Sequence, residues 1–186
     1  LHCACESGDL KTVKYIISLD KINVNEQDSW LRTSLQIAIN EYYLEIVEYL
    51  LSINGIDVNI QDNHYETPLH IACILEDIDL VKTLVSHKGI DIKIKGKDEK
   101  SILHYACESG NLDIVKFLLA KNELDLTDKD KNGKTLLHYA CKSGNIELVN
   151  HLISLNKIDV NAKDNKNKTI MHYACESENT ELVKYL

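Results

Sequence analysis

Alanine recurs at positions 4, 38, 72, 106, 140 and 174, an interval of 34 residues that never slips along a chain of 186. The neighbours keep the same interval: Leu1, Leu35, Leu69, Leu103, Leu137 and Met171, and likewise His2, Gln36, His70, His104, His138 and His172. A fixed period of this length constrains the fold more than composition does. Each copy is a small unit that cannot bury its apolar face alone, so copies must stack on their neighbours to share one continuous core.

The interior of a copy reads as two helices. Thr33, Thr67, Ser101, Thr135 and Thr169 each stand two residues before the recurring Leu or Met. That is an N-cap position, where a side-chain oxygen accepts a free amide of the first turn. Pro68 follows at the first helical position of one copy, where its missing N–H is harmless. Gly8, Gly110 and Gly144 fall where this helix should stop, because glycine readily takes the left-handed conformation of a helix terminus. A second apolar set follows, Leu44, Val47, Leu50 and Leu51 in one copy and Leu112, Val115, Leu118 and Leu119 in another. That spacing is the stripe of an amphipathic helix. Segments 56–62 (IDVNIQD) and 158–164 (IDVNAKD) then predict an extended piece and a turn. The expected fold is an all-α dominated repeat solenoid of stacked helix-turn-helix units with β-hairpin fingers.

These residues resemble the ankyrin repeat, whose pattern runs D-x-x-G-x-T-P-L-H-x-A, then G-x-L-x-x-V-x-x-L-L, then D-V-N. Residues 62–73 (DNHYETPLHIAC) and 130–149 (DKNGKTLLHYACKSGNIELV) match it best, and the resemblance spans the whole chain. It implies a partial repeat at 1–27, repeats two to five at 28–61, 62–95, 96–129 and 130–163, and a partial sixth at 164–186. The family spacing is usually 33; the extra residue here falls near Asn54, Lys88, Asn122 and Asn156. Gln36 departs from the pattern in the His slot, Tyr42, Glu76 and Glu178 in the glycine slot, and Gly96 in the finger Asp slot. Those repeats are expected to be locally less stable or slightly different in shape.

A His and a Cys three apart recur with the repeat, as His104 and Cys107 do. Helices of a stack lie about 8–10 Å apart, so two ligands per repeat spread along a ladder cannot converge at the roughly 2.0–2.3 Å that tetrahedral zinc requires. Disulfides between repeats fail on the same spacing, since bridged Cα atoms lie within about 7 Å. Catalysis needs one activated nucleophile with an orienting partner in one cleft, which a row of copies does not describe. The structural reading is that Cys5, Cys73, Cys107, Cys141 and Cys175 act as small apolar core residues. By the resemblance, the His ties its own turn to a neighbouring finger. Cys3 occupies a slot held elsewhere by Ile or Tyr and is either an exposed thiol or incidental. No metal and no cofactor are expected.

Charge narrows the partners. The formal net charge is −8, and residues 1–93 carry 7 Lys and Arg against 15 Asp and Glu, while residues 94–186 carry 14 of each. A nucleic-acid binder needs a basic stripe to displace counterions, so none is expected as partner. No apolar run is long enough for membrane insertion and no secretory leader is visible. Reduced Cys used as core fits a cytoplasmic, intracellular protein.

The resemblance implies a concave partner surface made of finger tips and the outward side of each first helix. Two zones stand out on it. Trp30, Leu31, Arg32, His64, Tyr65, Glu66, Ile71, Ile74 and Leu75 form an aromatic and apolar zone that contains the chain's one Trp, and Trp, Tyr and Arg are enriched at interface hot spots. The alternative is that Trp30 and Tyr65 pack on neighbouring fingers or on their own stems. The second zone is Lys-rich, at Lys97, Lys100, Lys131, Lys134, Lys166 and Lys168, backed by Tyr105, Tyr139 and Tyr173. It either receives an acidic or phosphorylated segment or is a solvated face.

Three classes of function follow. The leading expectation is a monomeric array that binds a protein or peptide in its groove. A structural spacer or scaffold segment of a longer protein is the alternative. An enzyme is not expected, because no unrepeated constellation of His, Asp, Glu or Cys stands outside the scaffold positions. The chain opens inside a first helix and closes inside a second without polar capping repeats, so continuation on both sides is expected.

Overall fold

The computed structural model describes residues 1–19 and 22–186; Asp20 and Lys21, within the expected first repeat, lie outside the described residues. Among the described residues twelve α-helices run in six pairs. They are α1 (His2–Glu6) and α2 (Leu10–Ile17), α3 (Ser34–Asn40) and α4 (Leu44–Leu51), α5 (Pro68–Ile74) and α6 (Ile78–Ser86). After a 3-10 turn at Lys97–Glu99 come α7 (Ile102–Ser109) and α8 (Leu112–Leu119), α9 (Leu136–Ser143) and α10 (Ile146–Ser154), α11 (Ile170–Glu176) and α12 (Thr180–Tyr185). The chain forms two compact bodies, an N-terminal one of residues 1–72 and 79–94 and a C-terminal one of residues 73–78 and 95–186.

In the N-terminal body α1 packs on α3, and α4 packs on both α3 and α2. In the C-terminal body α9 lies between α7 and α11, with α8, α10 and α12 each packed on the first helix of its own pair. The period explains the packing. Ala38, Ala106, Ala140 and Ala174 are fully buried, because first helices pack flank to flank and a larger side chain would hold them apart. Leu35, Leu50, Leu103, Leu118, Leu137 and Leu152 are fully buried around them, each contributing on the order of 2 kcal/mol of hydrophobic stabilisation.

The helix starts are built as the caps predict. The Gln36 amide donates to Thr33 Oγ1 (3.3 Å) and the Thr33 amide donates back to Gln36 Oε1 (2.8 Å), a reciprocal box at the start of α3. At α7 and α9 a histidine replaces the amide side chain: Ser101 N–H donates to His104 Nδ1 (3.1 Å) and Thr135 N–H to His138 Nδ1 (3.0 Å). At the helix ends Gly110 (φ 80) and Gly144 (φ 77) are left-handed, and Tyr42 (φ 62), Glu76 (φ 60) and Glu178 (φ 59) adopt the same conformation in the glycine slot. A side chain there costs about 1 kcal/mol.

The fingers depart from expectation. They are not β-hairpins; among the described residues one isolated bridge, Gln27 with Thr33, is all the pairing present. In four of the five fingers the reason is the aspartate that opens the loop. Asp62 N–H donates to Glu66 O (3.0 Å), but the amides of His64 and Glu66 both turn to Asp62 Oδ1 (2.9 Å each). Asp28, Asp130 and Asp164 hold the second and fourth amides that follow them in the same way. A side chain that consumes the amides leaves nothing for a strand ladder. Fingers two, three, five and six are five-residue loops closed on a carboxylate; finger four opens on Gly96, whose N–H donates to Lys100 O (2.9 Å).

Candidate functional site

Each finger puts its fourth residue in the left-handed region. In the C-terminal body that residue is Glu99 (φ 60), Gly133 (φ 74) and Asn167 (φ 59). In the N-terminal body it is Leu31 (φ 58) and Tyr65 (φ 63). Glycine and asparagine accept this conformation readily, whereas leucine and tyrosine are strained in it. Leu31 and Tyr65 are nonetheless 49% and 62% exposed, beside Trp30 at 57%. The two fingers are bonded together, with Asn63 N–H donating to Trp30 O (3.0 Å) and Gln27 Nε2 to Gln61 O (3.0 Å). Arg32 lies with its guanidinium 4.8 Å from the Trp30 ring centroid and pairs with Asp28 at 2.8 Å. Burial pushes the Asp28 carboxyl up, but the Arg32 amide and guanidinium and the Trp30 amide outweigh it and hold it below its usual range. His64 is exposed and Glu66 half-buried at the flanks of Tyr65, while Ile71, in α5, is buried.

The C-terminal body carries Ile74 and Leu75, both exposed at the end of α5, and a ladder of lysines on tyrosine faces. Lys100 Nζ is 5.3 Å from the Tyr105 centroid and 4.8 Å from that of Tyr139, and Lys134 Nζ is 5.5 Å from Tyr139 and 5.0 Å from Tyr173. Lys168 closes the row at 5.6 Å from Tyr173. The tyrosines themselves are buried, and they brace the fingers. Tyr139 donates its hydroxyl to Asp130 (2.8 Å) and Tyr173 to Asp164 (2.7 Å). Burial, then the bond to the carboxylate, pushes both phenols well above their ordinary range. In repeat four, which has Gly96 in the Asp slot, the Tyr105 hydroxyl accepts the Lys97 amide instead (3.1 Å). A Cβ at Gly96 would overlap that hydroxyl, so Gly96 and Tyr105 fit as a pair. The sequence groups these residues as one partner surface; the structure leaves Lys100 and Lys134 half-buried over the buried rings of Tyr105, Tyr139 and Tyr173.

The recurring His and Cys are scaffold. An N–H can only donate, so His104 Nδ1, which receives the Ser101 amide, is bare, and Nε2 carries the proton that it gives to Lys134 O (3.3 Å). His138 joins Thr135 to Lys168 O in the same way, and burial lowers the pKa of both rings. Gln36 does the same work, donating to Ile60 O (3.2 Å) and Glu66 O (2.7 Å); its departure from the pattern conserves the geometry. All six cysteines are free thiols. Burial raises Cys5 to about 11 and Cys141 to about 12, and raises Cys73 and Cys107 as well; such thiols are poor nucleophiles. Cys175 corrects the expectation for its slot. It is exposed, as is His172, because no further first helix packs on α11 within the chain. Cys3 is exposed. No cluster of three or more His, Cys, Asp or Glu able to hold a metal occurs among the described residues, and no described helix is long and apolar enough to cross a membrane.

Sequence reasoning missed two things. One is the left-handed backbone at Leu31 and Tyr65, legible from Gly133 in the equivalent slot. The other is a set of asparagine bridges. Asn111, Asn145 and Asn179 cap second helices and also donate to Glu76 O (3.2 Å), Gly110 O (2.8 Å) and Gly144 O (2.8 Å) of the repeat before. Asn25 and Asn59 bridge the loops of the N-terminal body to Gly55 O and Gly89 O. Their recurrence at the repeat interval was the available signal.

Comparison with known proteins bears on the whole array. A family model described as ankyrin repeats (3 copies) matches residues 1–62, 53–130 and 103–186. Among solved structures, EF0377, an ankyrin repeat protein, superposes with a TM-score of 0.81 at 29% identity, over 97% of this chain and 92% of that one. A chain from the complex of Bd0816, a predatory endopeptidase of Bdellovibrio bacteriovorus, with the immunity protein Bd3460 superposes with a TM-score of 0.83 at 27% identity, over 98% of this chain and 94% of that one. Comparison with curated protein sequences returns no match.

Proposed function

The chain belongs to the ankyrin repeat family, whose arrays generally serve as protein–protein interaction modules, and on that premise we propose that it binds a protein or peptide through its finger tips and the first helices behind them. The observation that carries this reading is the pair Leu31 and Tyr65. Both are large, exposed and held in a left-handed backbone where Gly133 stands in repeat five. Strain kept at an exposed apolar position points to a use for the side chain. Trp30, Leu31 and Tyr65 are the anchors in the N-terminal body, with Arg32, His64 and Glu66 as their polar rim and Ile71 buried in α5. Ile74 and Leu75, together with Lys100 and Lys134 over the rings of Tyr105, Tyr139 and Tyr173, are the contacts in the C-terminal body. That a similar chain occurs in a complex between an endopeptidase and an immunity protein supports a protein as partner.

The reading is non-catalytic. His104 and His138 have both ring nitrogens engaged and burial lowers the pKa of each, and the buried thiols are raised in pKa, so neither set is poised for chemistry. Free buried cysteines fit a reducing, intracellular setting.

The test is capture from a lysate of the source organism on the immobilised chain, beside a Leu31→Gly/Tyr65→Gly variant. Glycine relieves the strain, so the variant is expected to melt no lower than the parent while losing the retained protein. A variant that keeps the protein would remove these tips from the site and move the spacer reading ahead.

A further inference from the structure

The repeats of the C-terminal body can be read against one another to find a missing group. In repeat four Lys100 Nζ pairs with Glu108, eight residues on, at 2.6 Å; in repeat six Lys168 pairs with Glu176, again eight on, at 2.6 Å. In repeat five the same two slots hold Lys134 and Lys142. The carboxylate has become a second cation. Lys142 turns to the preceding repeat and shares Glu108 (3.2 Å). Burial works against the Glu108 carboxylate, and Lys100 and Lys142 together overcome it, holding the carboxyl below its usual range. Lys134 is left with two tyrosine faces and, among the described residues, no carboxylate within ion-pair distance.

A cavity of about 300 Å³ opens at this point, lined by Lys134, Lys142, Lys168, Asn132 and Tyr173. Two carboxylates also line it, and both are engaged. Glu176 is held by Lys168, and Asp164 takes the Tyr173 hydroxyl and the amides of Lys166 and Lys168. With Lys166 on the rim, four lysines face two committed carboxylates.

We propose that this cavity receives the carboxylate of an acidic side chain from a partner protein, seated against Lys134 and Lys142 in the place that Glu108 and Glu176 fill against Lys100 and Lys168. The neighbouring repeats supply the template for the ligand: a carboxylate on a short flexible stem, approaching an ammonium that already lies over an aromatic ring. The Lys134 ammonium already lies over the Tyr139 and Tyr173 rings, so less side-chain entropy is lost on pairing than at a free surface lysine. The inference rests on the interaction-module reading and adds the chemistry of one contact to it.

Lys142→Glu tests it: the substitution installs the Lys–Glu pair of the two flanking repeats, and Glu108 keeps Lys100 as its partner at 2.6 Å. The probe is acetylated, amidated hexaglutamate, with hexaglutamine as control, titrated into the whole chain while the lysine side-chain NMR signals are followed. The expected result is a saturable shift at Lys134 and Lys142 with hexaglutamate alone. Affinity should fall about fivefold or more in Lys142→Glu, weaken with salt, and stay unchanged in Leu31→Gly/Tyr65→Gly. Absence of the Lys134 shift, or equal affinity in Lys142→Glu, overturns the proposal. A parent chain that captures a partner through Leu31 and Tyr65 yet shows no such shift rejects the acidic contact alone and leaves the module reading standing.

Discussion

Fingers two and three close on Asp28 and Asp62 and present Trp30, Leu31 and Tyr65; fingers five and six close on Asp130 and Asp164 and present lysine. The loop geometry is the same in both bodies, with the aspartate collecting two amides of its own finger. What differs is the residue nine positions on. It is Ile37 or Ile71 in the N-terminal body and Tyr139 or Tyr173 in the C-terminal body, and only the tyrosine can brace the aspartate from below. The comparison separates two jobs that a single finger performs. The aspartate shapes the loop in either body. The slot behind it decides whether the stem is rigidly tied to the helix, and the fourth residue decides whether the tip is relaxed or strained.

Substitutions can break this comparison at graded depth. The largest effect is expected at His138, which joins a helix start to the next finger. His138→Ala opens a cavity and strands the Thr135 amide and the Lys168 carbonyl, costing about 3 kcal/mol. His138→Gln should recover most of that, since Gln36 performs the same bridge in repeat two; equal losses in urea melts would show that the ring itself is required.

Acid comes next. Burial pushes the His70 imidazole down from 6.5 to about 4. Its folded pKa is depressed, so stability is complete above pH 6.5. Between pH 6.5 and 4 the unfolded chain takes a proton that the native ring refuses, and stability falls. This residue alone accounts for about 3 kcal/mol of the loss, and His104 and His138 act in the same direction. His70→Gln should flatten the pH dependence of the melting temperature in that window, and an unchanged slope would exclude His70 as its source.

The smallest effect sharpens the contrast between the bodies. Tyr139→Phe removes the hydroxyl from Asp130 and should cost about 1 kcal/mol. Ile71→Val, at the equivalent slot of repeat three, trims only a buried methyl and should cost a similar amount, about 1 kcal/mol. Hydrogen exchange separates the two: amides of finger five should open faster in Tyr139→Phe, and those of finger three should be unaffected in Ile71→Val.

Much of the fold was legible because its determinants are local and periodic. A cap two residues before Leu103, a left-handed glycine at position 110 and an apolar stripe from Leu112 to Leu119 each act within one helix, and repetition makes each visible several times over. The fingers were misread as strands because an I-D-V-N run has strand-like alternation, while the group that prevents pairing is a carboxylate at its edge. Part of the candidate surface was misplaced for a related reason. Tyr105, Tyr139 and Tyr173 sit on the outward face of their helices, but each finger folds back over that face and buries the ring. Exposure of Cys175 and His172 depends on what packs beside α11, which no property of those two residues encodes.

The bridges between repeats have a consequence for how such chains change length. His104 reaches 30 residues forward to Lys134, and Asn145 reaches 35 residues back to Gly110. Each tie therefore joins a repeat to its immediate neighbour and no further. An in-frame duplication or loss of a 34-residue block that carries both residues regenerates these ties at the new junction, whereas a change of one residue shifts the partners on both sides of it. Such an array can lengthen or shorten by whole repeats and keep these ties, but not by single residues.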